Sequence, residues 1–277
     1  MEKEYLARLF SLADKVAVVT GGGGVLCSSM CRAMAQAGAR VVVVDLLEAA
    51  AGKVADEITA AGGAAFPWQA DALNKKSLER VCEGVLQKFG RVDILINGAG
   101  GNKPQATTSP DLPFFDLPQD AFQWVFDLNF MTALLSSQVL GKAMARQKDG
   151  VILNVSSMNY FRPLTRVPAY SAAKAAVSNF TQWLAVHLSQ NYSPKIRVNA
   201  IAPGFFLTEQ NRFLLTEKAT GTLTPRGQSI IEHTPMNRFG KAEDLVGTVL
   251  WLLSPAAEFV HGTVIAIDGG FSAYSGV

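Results

Sequence analysis

The residues best suited to chemistry are Tyr170 and Lys174, four positions apart, with Ser157 thirteen residues before the tyrosine. In a helix this spacing puts the ammonium on the same face as the phenol, where its charge lowers a pKa that is ordinarily about 10. A serine hydroxyl nearby could hold a carbonyl or alcohol oxygen within reach of the phenol. The three residues therefore indicate acid–base chemistry at a C–O centre, unless the pair is an ordinary surface tyrosine beside a surface lysine.

The segments that must position these residues alternate between short apolar runs and helical stretches. Short runs, most of them rich in valine and isoleucine, predict strands over 16–20, 41–44, 65–70, 92–96, 151–155, 196–201 and 264–267. Helices are expected up to about 38 and over 47–61, 78–89, 121–147, 170–191 and 243–253. Strands that are apolar on both faces indicate a parallel sheet covered by helices on both sides. We predict an α/β fold, a doubly wound Rossmann-type sheet of about seven strands with its crevice at the carboxyl ends.

Composition narrows the class of protein. Of the 277 residues, 49% are apolar and 17% are charged, which is typical of a packed globular enzyme, and the net charge of +2 argues against a nucleic-acid partner. The N-terminus lacks a signal-peptide core, and no apolar run approaches the roughly 20 residues of a membrane span. No linker or repeat divides the chain, so we expect one catalytic domain over 1–277, with 1–12 as an N-terminal extension.

Cysteine and histidine usage predicts neither disulfides nor a metal site. Cys27, Cys31 and Cys82 are odd in number and lack metal-type spacing, and the three histidines are scattered. A reducing, cytoplasmic location is the simplest interpretation.

A glycine run between the first strand and the first helix predicts a phosphate-binding loop. Thr20 is followed by four glycines, 21–24, then Val25 and Leu26. Glycines let the backbone approach a phosphate, and a helix N-terminus favours negative charge. Asp45 ends the second strand, where a carboxylate accepts both adenosine ribose hydroxyls and repels a 2′-phosphate. With Leu46 next and no arginine, NAD is favoured over NADP. The loop could instead be a flexible turn, and Asp45 a helix N-cap.

From about residue 10 to the C-terminus, the sequence resembles the short-chain dehydrogenase/reductase family. The motifs follow the family's order: Thr20-Gly21, Asp71-Ala72, Asn97-Gly98-Ala99-Gly100, Asn129, Ser157, Tyr170, Lys174, Pro203-Gly204, Thr208 and Asp268-Gly269-Gly270. The resemblance implies cofactor contacts from Gly21, Gly22, Gly23, Gly24, Val25, Leu26, Asp45, Leu46, Asp71, Ala72, Asn97, Gly98, Ala99, Tyr170, Lys174, Pro203, Gly204 and Thr208. It also implies an NAD(P)-dependent oxidoreductase acting on CH–OH groups.

The glycine loop departs from the family pattern, which usually reads Thr-Gly-x-x-x-Gly-x-Gly. Its second and third glycines would fall at 25 and 27, where this chain has Val25 and Cys27. We expect Gly24 to take over the phosphate contact if the loop shifts by one residue. The Asn-Asn-Ala-Gly motif departs as well, with Gly98 at its second position.

The resemblance also implies a role for each active residue. Tyr170 donates a proton to the carbonyl oxygen as hydride arrives, and the reverse reaction retraces the steps. Lys174 lowers the pKa of the phenol and binds the nicotinamide ribose. Ser157 holds the carbonyl, and Asn129 positions a water that returns protons through Lys174.

Polar residues around the expected mouth of the crevice suggest the substrate. The resemblance implies a mobile lid at about 205–240, and the proposed substrate contacts are Asn102, Lys103, Asn159, Arg162, Arg166 and Arg212, although any one of these could be a solvated loop residue. Arginine forks suit carboxylates and asparagines suit hydroxyls, so a sugar acid fits. The pattern is similar to bacterial reductases that interconvert D-fructuronate and D-mannonate.

The sequence alone is also compatible with other functions. Gluconate or 2-deoxygluconate dehydrogenases share the pattern. A 3-oxoacyl-carrier-protein reductase shares the active residues but generally prefers NADPH, and a non-enzymatic cofactor sensor or scaffold would keep the fold without turnover.

Family resemblance further implies a homotetramer or dimer through the helix of Tyr170, where Phe180, Trp183 and His187 could form an apolar seam or face the sheet.

Overall fold

The five central strands of the sheet are runs of residues that are mostly buried on both sides, whereas the two edge strands are partly exposed. The computed structural model describes residues 3–207, 212, 215–217 and 220–276. Its strands are β1 (Val16–Thr20), β2 (Arg40–Asp45), β3 (Ala64–Gln69), β4 (Ile94–Asn97), β5 (Gly150–Val155), β6 (Ile196–Pro203) and β7 (Val264–Ile267). They form one seven-stranded sheet in the order β3-β2-β1-β4-β5-β6-β7, with every neighbouring pair parallel. The predicted doubly wound, single-domain α/β fold is confirmed.

Helices cover both faces of this sheet. They are α1 (Lys3–Leu9), α2 (Val25–Gln36), α3 (Glu48–Ala60), α4 (Lys75–Phe89), α5 (Gln119–Phe126), α6 (Thr132–Gln147), α7 (Pro168–Asn191), α8 (Pro225–Glu232) and α9 (Val246–Leu253). In the described part of the chain, no helix is both long and apolar enough to cross a bilayer.

Alternate residues of each strand enter opposite halves of the core. Ala17 and Val19 of β1 pack with α2, α3 and α9, whereas Val16 and Val18 pack with α4, α6 and α7. All four are fully buried. Burial of each valine stabilises the fold by about 1.5–3 kcal/mol, which is why the strand carries no polar alternation.

Two predicted helices are interrupted. The stretch expected to be continuous over 121–147 contains a π-helical turn, Asp127–Met131, between α5 and α6. The segment expected over 243–253 begins with a 3₁₀ turn, Ala242–Leu245, before α9. Such turns depend on side-chain and tertiary contacts that apolar spacing does not reveal.

Candidate active site

A single cleft gathers most of the predicted site residues. It measures about 490 Å³ and lies at the carboxyl ends of the strands, where the sheet order reverses between β1 and β4. The predicted residues that line it are Gly21, Gly24, Val25, Leu26, Asp45, Leu46, Asp71, Ala72, Gly98, Ala99, Asn129, Ser157, Tyr170, Lys174, Pro203 and Gly204.

The glycine loop shapes one end of the cleft. Gly21 follows β1 with a φ of 66°, and a Cβ there would lie 2.9 Å from the Ala99 backbone, so the position requires glycine. Helix α2 begins at Val25, and its N-cap, Gly24, has no side chain to bond the first-turn N–H groups. Because Val25 and Leu26 border the cleft, these groups can bind an anion there.

Asp45 is held by the same loop. Its Oδ2 accepts from the Gly23 N–H at 3.0 Å and its Oδ1 from the Leu47 N–H at 3.1 Å. The N-cap of α3 is Leu47, so Asp45 does not cap that helix. A carboxylate fixed in this way keeps lone pairs for the two hydroxyls of a ribose. Together with the α2 N-terminus, Asp45 makes the cleft fit a dinucleotide.

Asn129 lies in the π-helical turn and is 1% exposed. Its Nδ2 donates to the Val125 carbonyl at 2.8 Å and to the Gly101 carbonyl at 2.7 Å, while its Oδ1 accepts from the Gly101 N–H at 3.2 Å. These bonds tie the turn to the loop after β4. A Cβ on Gly100 would lie 2.6 Å from Asn129 Oδ1 and 3.4 Å from Lys174 Nζ, so glycine lets these groups converge.

Ser157 and Tyr170 both line the cleft, and hydrogen bonding to the serine hydroxyl is one of the influences on the pKa of the phenol. Ser157 follows β5, and Tyr170 lies in the first turn of α7, which Pro168 begins. Burial raises the pKa of Tyr170 above its usual value, and the bond with Ser157 opposes the rise. The expected lowering of this pKa by Lys174 is therefore wrong for this structure, since desolvation of the phenol dominates.

Lys174 lies beneath the tyrosine, one turn along α7. Its Nζ donates to the Val155 carbonyl at 2.8 Å and is 5.5 Å from the centroid of the Tyr170 ring. The residue is 4% exposed, and burial lowers the pKa of Lys174 to about 8, an effect that Cys27 partly opposes. A lysine with this pKa exchanges protons readily near neutral pH.

Three predicted cofactor residues do not line the cleft. Gly22 packs against β2, where a Cβ would lie 2.8 Å from Val43, and Gly23 supports Asp45 through its N–H. Asn97 is buried and donates to Ser137 Oγ at 2.9 Å and Asn154 Oδ1 at 2.7 Å. Thr208 falls outside the described residues.

None of the six predicted substrate residues lines the cleft. Asn102 donates to Thr107 Oγ1, Lys103 lies over the Trp124 ring, and Asn159 is buried against Ser171. Arg162, Arg166 and Arg212 are exposed outside it.

The structure adds lining residues that the sequence analysis did not single out. They include Gly101, Leu128, Thr132, Val155, Ser156, Phe205 and Phe206. Phe205 and Phe206 directly follow the Pro203-Gly204 pair and could have been inferred from adjacency. Leu128 and Thr132 reach the cleft through the π-helical turn, for which the sequence carries no clear signal.

Comparisons with known proteins agree with this geometry. The short chain dehydrogenase family model matches residues 15–219. A Bacillus subtilis protein described as an uncharacterized oxidoreductase, UxuB, is 50% identical over 96% of this chain and 98% of its own length.

Two solved structures are similar over nearly their whole length. A Haemophilus influenzae protein, provisionally named a D-mannonate oxidoreductase and holding NAD, has 45% identity and a TM-score of 0.91 over 98% of this chain and 100% of that one. A Beutenbergia cavernae protein, provisionally named an NAD(P)-dependent gluconate 5-dehydrogenase and holding NADP at low occupancy, has 33% identity and a TM-score of 0.84, covering 96% of this chain and 100% of that one.

Proposed function

We propose that this chain, which belongs to the short-chain dehydrogenase family, interconverts a keto group and a secondary alcohol on a sugar acid, with NAD(H) as cofactor. As a member it is an oxidoreductase that acts on alcohol groups. The observation that carries the proposal is that Ser157, Tyr170, Lys174 and Asn129 line one cleft.

We infer a distinct role for each group in this cluster. The cofactor supplies or accepts the hydride when bound. Ser157 holds the substrate oxygen, and Tyr170 gives that oxygen a proton in reduction or takes one in oxidation. Lys174 restores the proton of the phenol, and Asn129 aligns the path to solvent. Acid–base assistance of this kind contributes typically ~10²–10⁴-fold to the rate.

NAD is the proposed cofactor in preference to NADP. The N–H groups of Val25 and Leu26 would receive the pyrophosphate, and Asp45 would receive the adenosine ribose. Because Asp45 is negatively charged and backbone N–H groups hold it in place, a 2′-phosphate there would be repelled. The NAD in the Haemophilus structure favours this assignment, whereas the NADP in the Beutenbergia structure is the reason to test it.

D-Fructuronate, with D-mannonate as its reduced product, is the substrate pair that we propose. Support comes from the name of the Haemophilus protein, at 45% identity. A gluconate dehydrogenase activity is the second candidate, favoured by the similarity to the Beutenbergia protein. We also propose that the segment of about 205–240 closes over this substrate.

A cytoplasmic location is a further part of the proposal. It suits the three buried free cysteines.

Self-association through α7 is a further part of the proposal. Phe180 is buried, but Trp183 and Val186 are 56% and 55% exposed, and the Trp183 and His187 rings stack at 4.7 Å. An exposed aromatic surface of this kind suits a dimer or homotetramer contact. Light scattering should give a multiple of the chain mass, and Trp183→Glu should reduce it.

The deciding test is oxidation of NADH and NADPH with D-fructuronate, D-tagaturonate, 5-ketogluconate and an acetoacetyl thioester. We expect NADH-dependent turnover of a keto-sugar acid that falls at least 100-fold in Tyr170→Phe. Tyr192→Phe, on an exposed tyrosine at the end of α7, is the matched control and should keep full activity. Preference for NADPH and the thioester would contradict the proposal, and no turnover with any carbonyl would favour the sensor alternative.

A further inference from the structure

Three neighbouring strands lead to the end of the cleft that holds Ser157. Strands β5, β6 and β7 lie side by side in the sheet, and Ser157, Phe205 and a C-terminal segment (268–274) follow them in that order. Ser157 and Phe205 line the cleft. The Gly204 N–H donates to the Ile267 carbonyl at 2.9 Å, so β6 and β7 stay paired up to the point where the two segments leave the sheet. Phe205 is therefore flanked by Ser157 on one side and by the C-terminal segment on the other.

The ring of Phe205 packs against the C-terminal segment. Its centroid is 5.1 Å from that of the Phe271 ring, and the two ring planes meet at 65°, in an edge-to-face arrangement. Such a pair is attractive beyond the apolar area that it buries. Gly204 permits the close approach of the two segments, since a Cβ there would lie 2.6 Å from Asp268 Cβ. The position of the Phe205 ring thus depends on Phe271.

A second cavity gives the Phe205 ring room to move. This cavity measures about 220 Å³, and Phe205 and Phe206 line both it and the cleft. Phe206 is buried and packs closely on Gly240, where a Cβ would lie 2.7 Å from the ring, so its position is fixed. Phe205 is only half-buried. Its contact with Phe271 therefore opposes rotation of the ring into the second cavity.

Asp268 fixes the turn that carries Phe271. Its Oδ1 accepts from the Gly270 N–H at 2.9 Å, and its Oδ2 accepts from the Ser272 N–H at 2.9 Å. Gly269 and Gly270 have φ angles of 65° and 90°, which let the chain turn back sharply after β7. One carboxylate thus bonds the backbone on both sides of Phe271.

The same turn is anchored to two other segments. The Met236 N–H, beyond the end of α8, donates to the Gly269 carbonyl at 3.1 Å. Arg162, in the loop that follows Ser157, donates from its Nε to the Ser272 carbonyl at 3.2 Å. The C-terminal segment is therefore held in place independently of Phe205 and can act as its support.

We propose that Phe205 contacts the carbon chain of the substrate beside Ser157, and that Phe271 and Asp268 are positioning residues that hold its ring there. The inference rests on the proposed function and adds to it the residues that orient the ketone. An apolar ring packs against the C–H groups of a sugar chain, and a fixed ring limits the orientations in which the carbonyl approaches Ser157. Asp45 lies at the other end of the cleft, so the two positioning residues should affect the substrate and not NADH.

The first test removes the supporting ring. We expect Phe271→Ala to raise KM for D-fructuronate about tenfold and to change kcat by less than about threefold, because the reacting groups stay in place while the substrate is held less well. Phe271→Tyr keeps the ring and should retain the wild-type KM. The dissociation constant of NADH should be the same in all three proteins.

Phe259→Ala is the matched control. Phe259 is fully exposed and precedes β7, whereas Phe271 follows that strand, so the two phenylalanines lie at its opposite ends. This variant should match the wild type. The proposal is overturned if Phe271→Ala behaves like Phe259→Ala. It is also overturned if Phe271→Ala weakens NADH binding and lowers kcat as much as it raises KM, since that result would indicate a general structural defect.

A double-mutant cycle tests whether Phe271 acts through Phe205. Phe205→Ala should itself raise KM for D-fructuronate about tenfold. In that background, Phe271→Ala should cause no further rise, since the ring that it supports is already gone. If the two effects on KM multiply instead, Phe271 acts on the substrate by another route and the proposal is overturned.

Amide hydrogen exchange provides a measurement that does not depend on turnover. The peptide that contains residues 204–207 includes two bonded N–H groups, since Gly204 donates to a carbonyl at the end of β7 and Leu207 donates to the Gly240 carbonyl. With NADH bound, we expect exchange in this peptide to be about tenfold faster in Phe271→Ala and in Asp268→Ala than in the wild type. Exchange should be unchanged in Phe259→Ala.

This measurement separates failure of the inference from failure of the proposed function. Faster exchange in both variants of an enzyme that turns over no keto acid would retain the support of Phe205 and exclude the proposed reaction. Turnover of a keto acid with wild-type KM and wild-type exchange in Phe271→Ala and Asp268→Ala overturns the positioning role alone.

Discussion

The sulfur of Cys27 occupies the space that a side chain at Gly98 would need. A Cβ built on Gly98 would overlap Cys27 Sγ, and its next contact is the Thr20 carbonyl at 2.9 Å. The family pattern that the sequence resembles has glycine at the first of these positions and asparagine at the second. The departures at positions 27 and 98 are therefore one exchange of volume between α2 and the loop after β4, whereas Val25 takes no part in it.

This exchange predicts strong coupling between substitutions at the two positions. Gly98→Asn alone should lower the free energy of unfolding by about 2 kcal/mol or more through overpacking, and Cys27→Gly should lower it by opening a cavity. The double variant should recover at least 1 kcal/mol relative to the sum of the single effects. Urea unfolding of the four proteins measures this coupling. Strictly additive losses would mean that the two sites are independent.

Gly23 determines where the Asp45 carboxylate lies. A Cβ on Gly23 would lie 2.6 Å from Ala50 Cβ and 2.9 Å from Asp45 Oδ2. Gly23→Ala should therefore displace the carboxylate and weaken NADH binding about tenfold, while Asp45→Ser should shift the preference towards NADPH by removing the negative charge. Titration of the intrinsic fluorescence with each nucleotide gives both dissociation constants.

Gly52→Ala is the control for the Gly23 substitution. Gly52 lies within α3, and an added Cβ would meet nothing within 4 Å. It should leave both dissociation constants unchanged and raise stability by about 0.5–1 kcal/mol. Unaltered NADH binding in Gly23→Ala would show that the position of Asp45 does not depend on this loop.

Asn129 is expected to matter for stability as well as for turnover. Its amide satisfies the carbonyls of Val125 and Gly101, so Asn129→Ala should cost about 2 kcal/mol and lower kcat/KM at least tenfold. Asn129→Asp should be less stable than Asn129→Ala, because it directs an oxygen at the same two carbonyls. Thermal unfolding and initial rates test both effects. Asn191→Ala, at the exposed end of α7, removes only bonds from its Nδ2 to the carbonyl and ring of His187, so it should affect stability far less and leave turnover unchanged.

The pH dependence of ketone reduction should follow Lys174. Because burial lowers the pKa of Lys174 to about 8, its ammonium loses a proton as the pH rises through that value. The raised pKa of Tyr170 keeps the phenol protonated in the same range. Reduction consumes a proton that Lys174 must restore, so kcat/KM should be level below about pH 8 and fall above it. In Lys174→Arg any remaining activity should no longer decrease above about pH 8, since arginine stays protonated. An unchanged pH profile would mean that another group causes the decrease.

Most of the fold could be predicted from the sequence because the patterns that determine the strands and helices are local. Apolar runs such as Val41–Val44 have no polar face, so they must be buried on both sides, and parallel order follows from the helices between them. Gly21, Asp45 and Ser157 lie at or just after the carboxyl end of a strand, and such ends meet at one edge of a parallel sheet. The other motif residues were predicted from the family resemblance. Tyr170 and Lys174 share a helix face by spacing alone.

The tertiary structure determined the properties that depend on a side chain's surroundings, namely its pKa, its hydrogen-bond partners and its packing. Desolvation raised the pKa of Tyr170, which the spacing to Lys174 had suggested would fall. Packing placed Asn97 under the cleft and Asn159 against Ser171, because a buried amide bonds to whatever the fold brings near it. The Cys27–Gly98 exchange joins residues 71 positions apart in the chain. A local pattern cannot predict it, since only folding brings two such positions into contact.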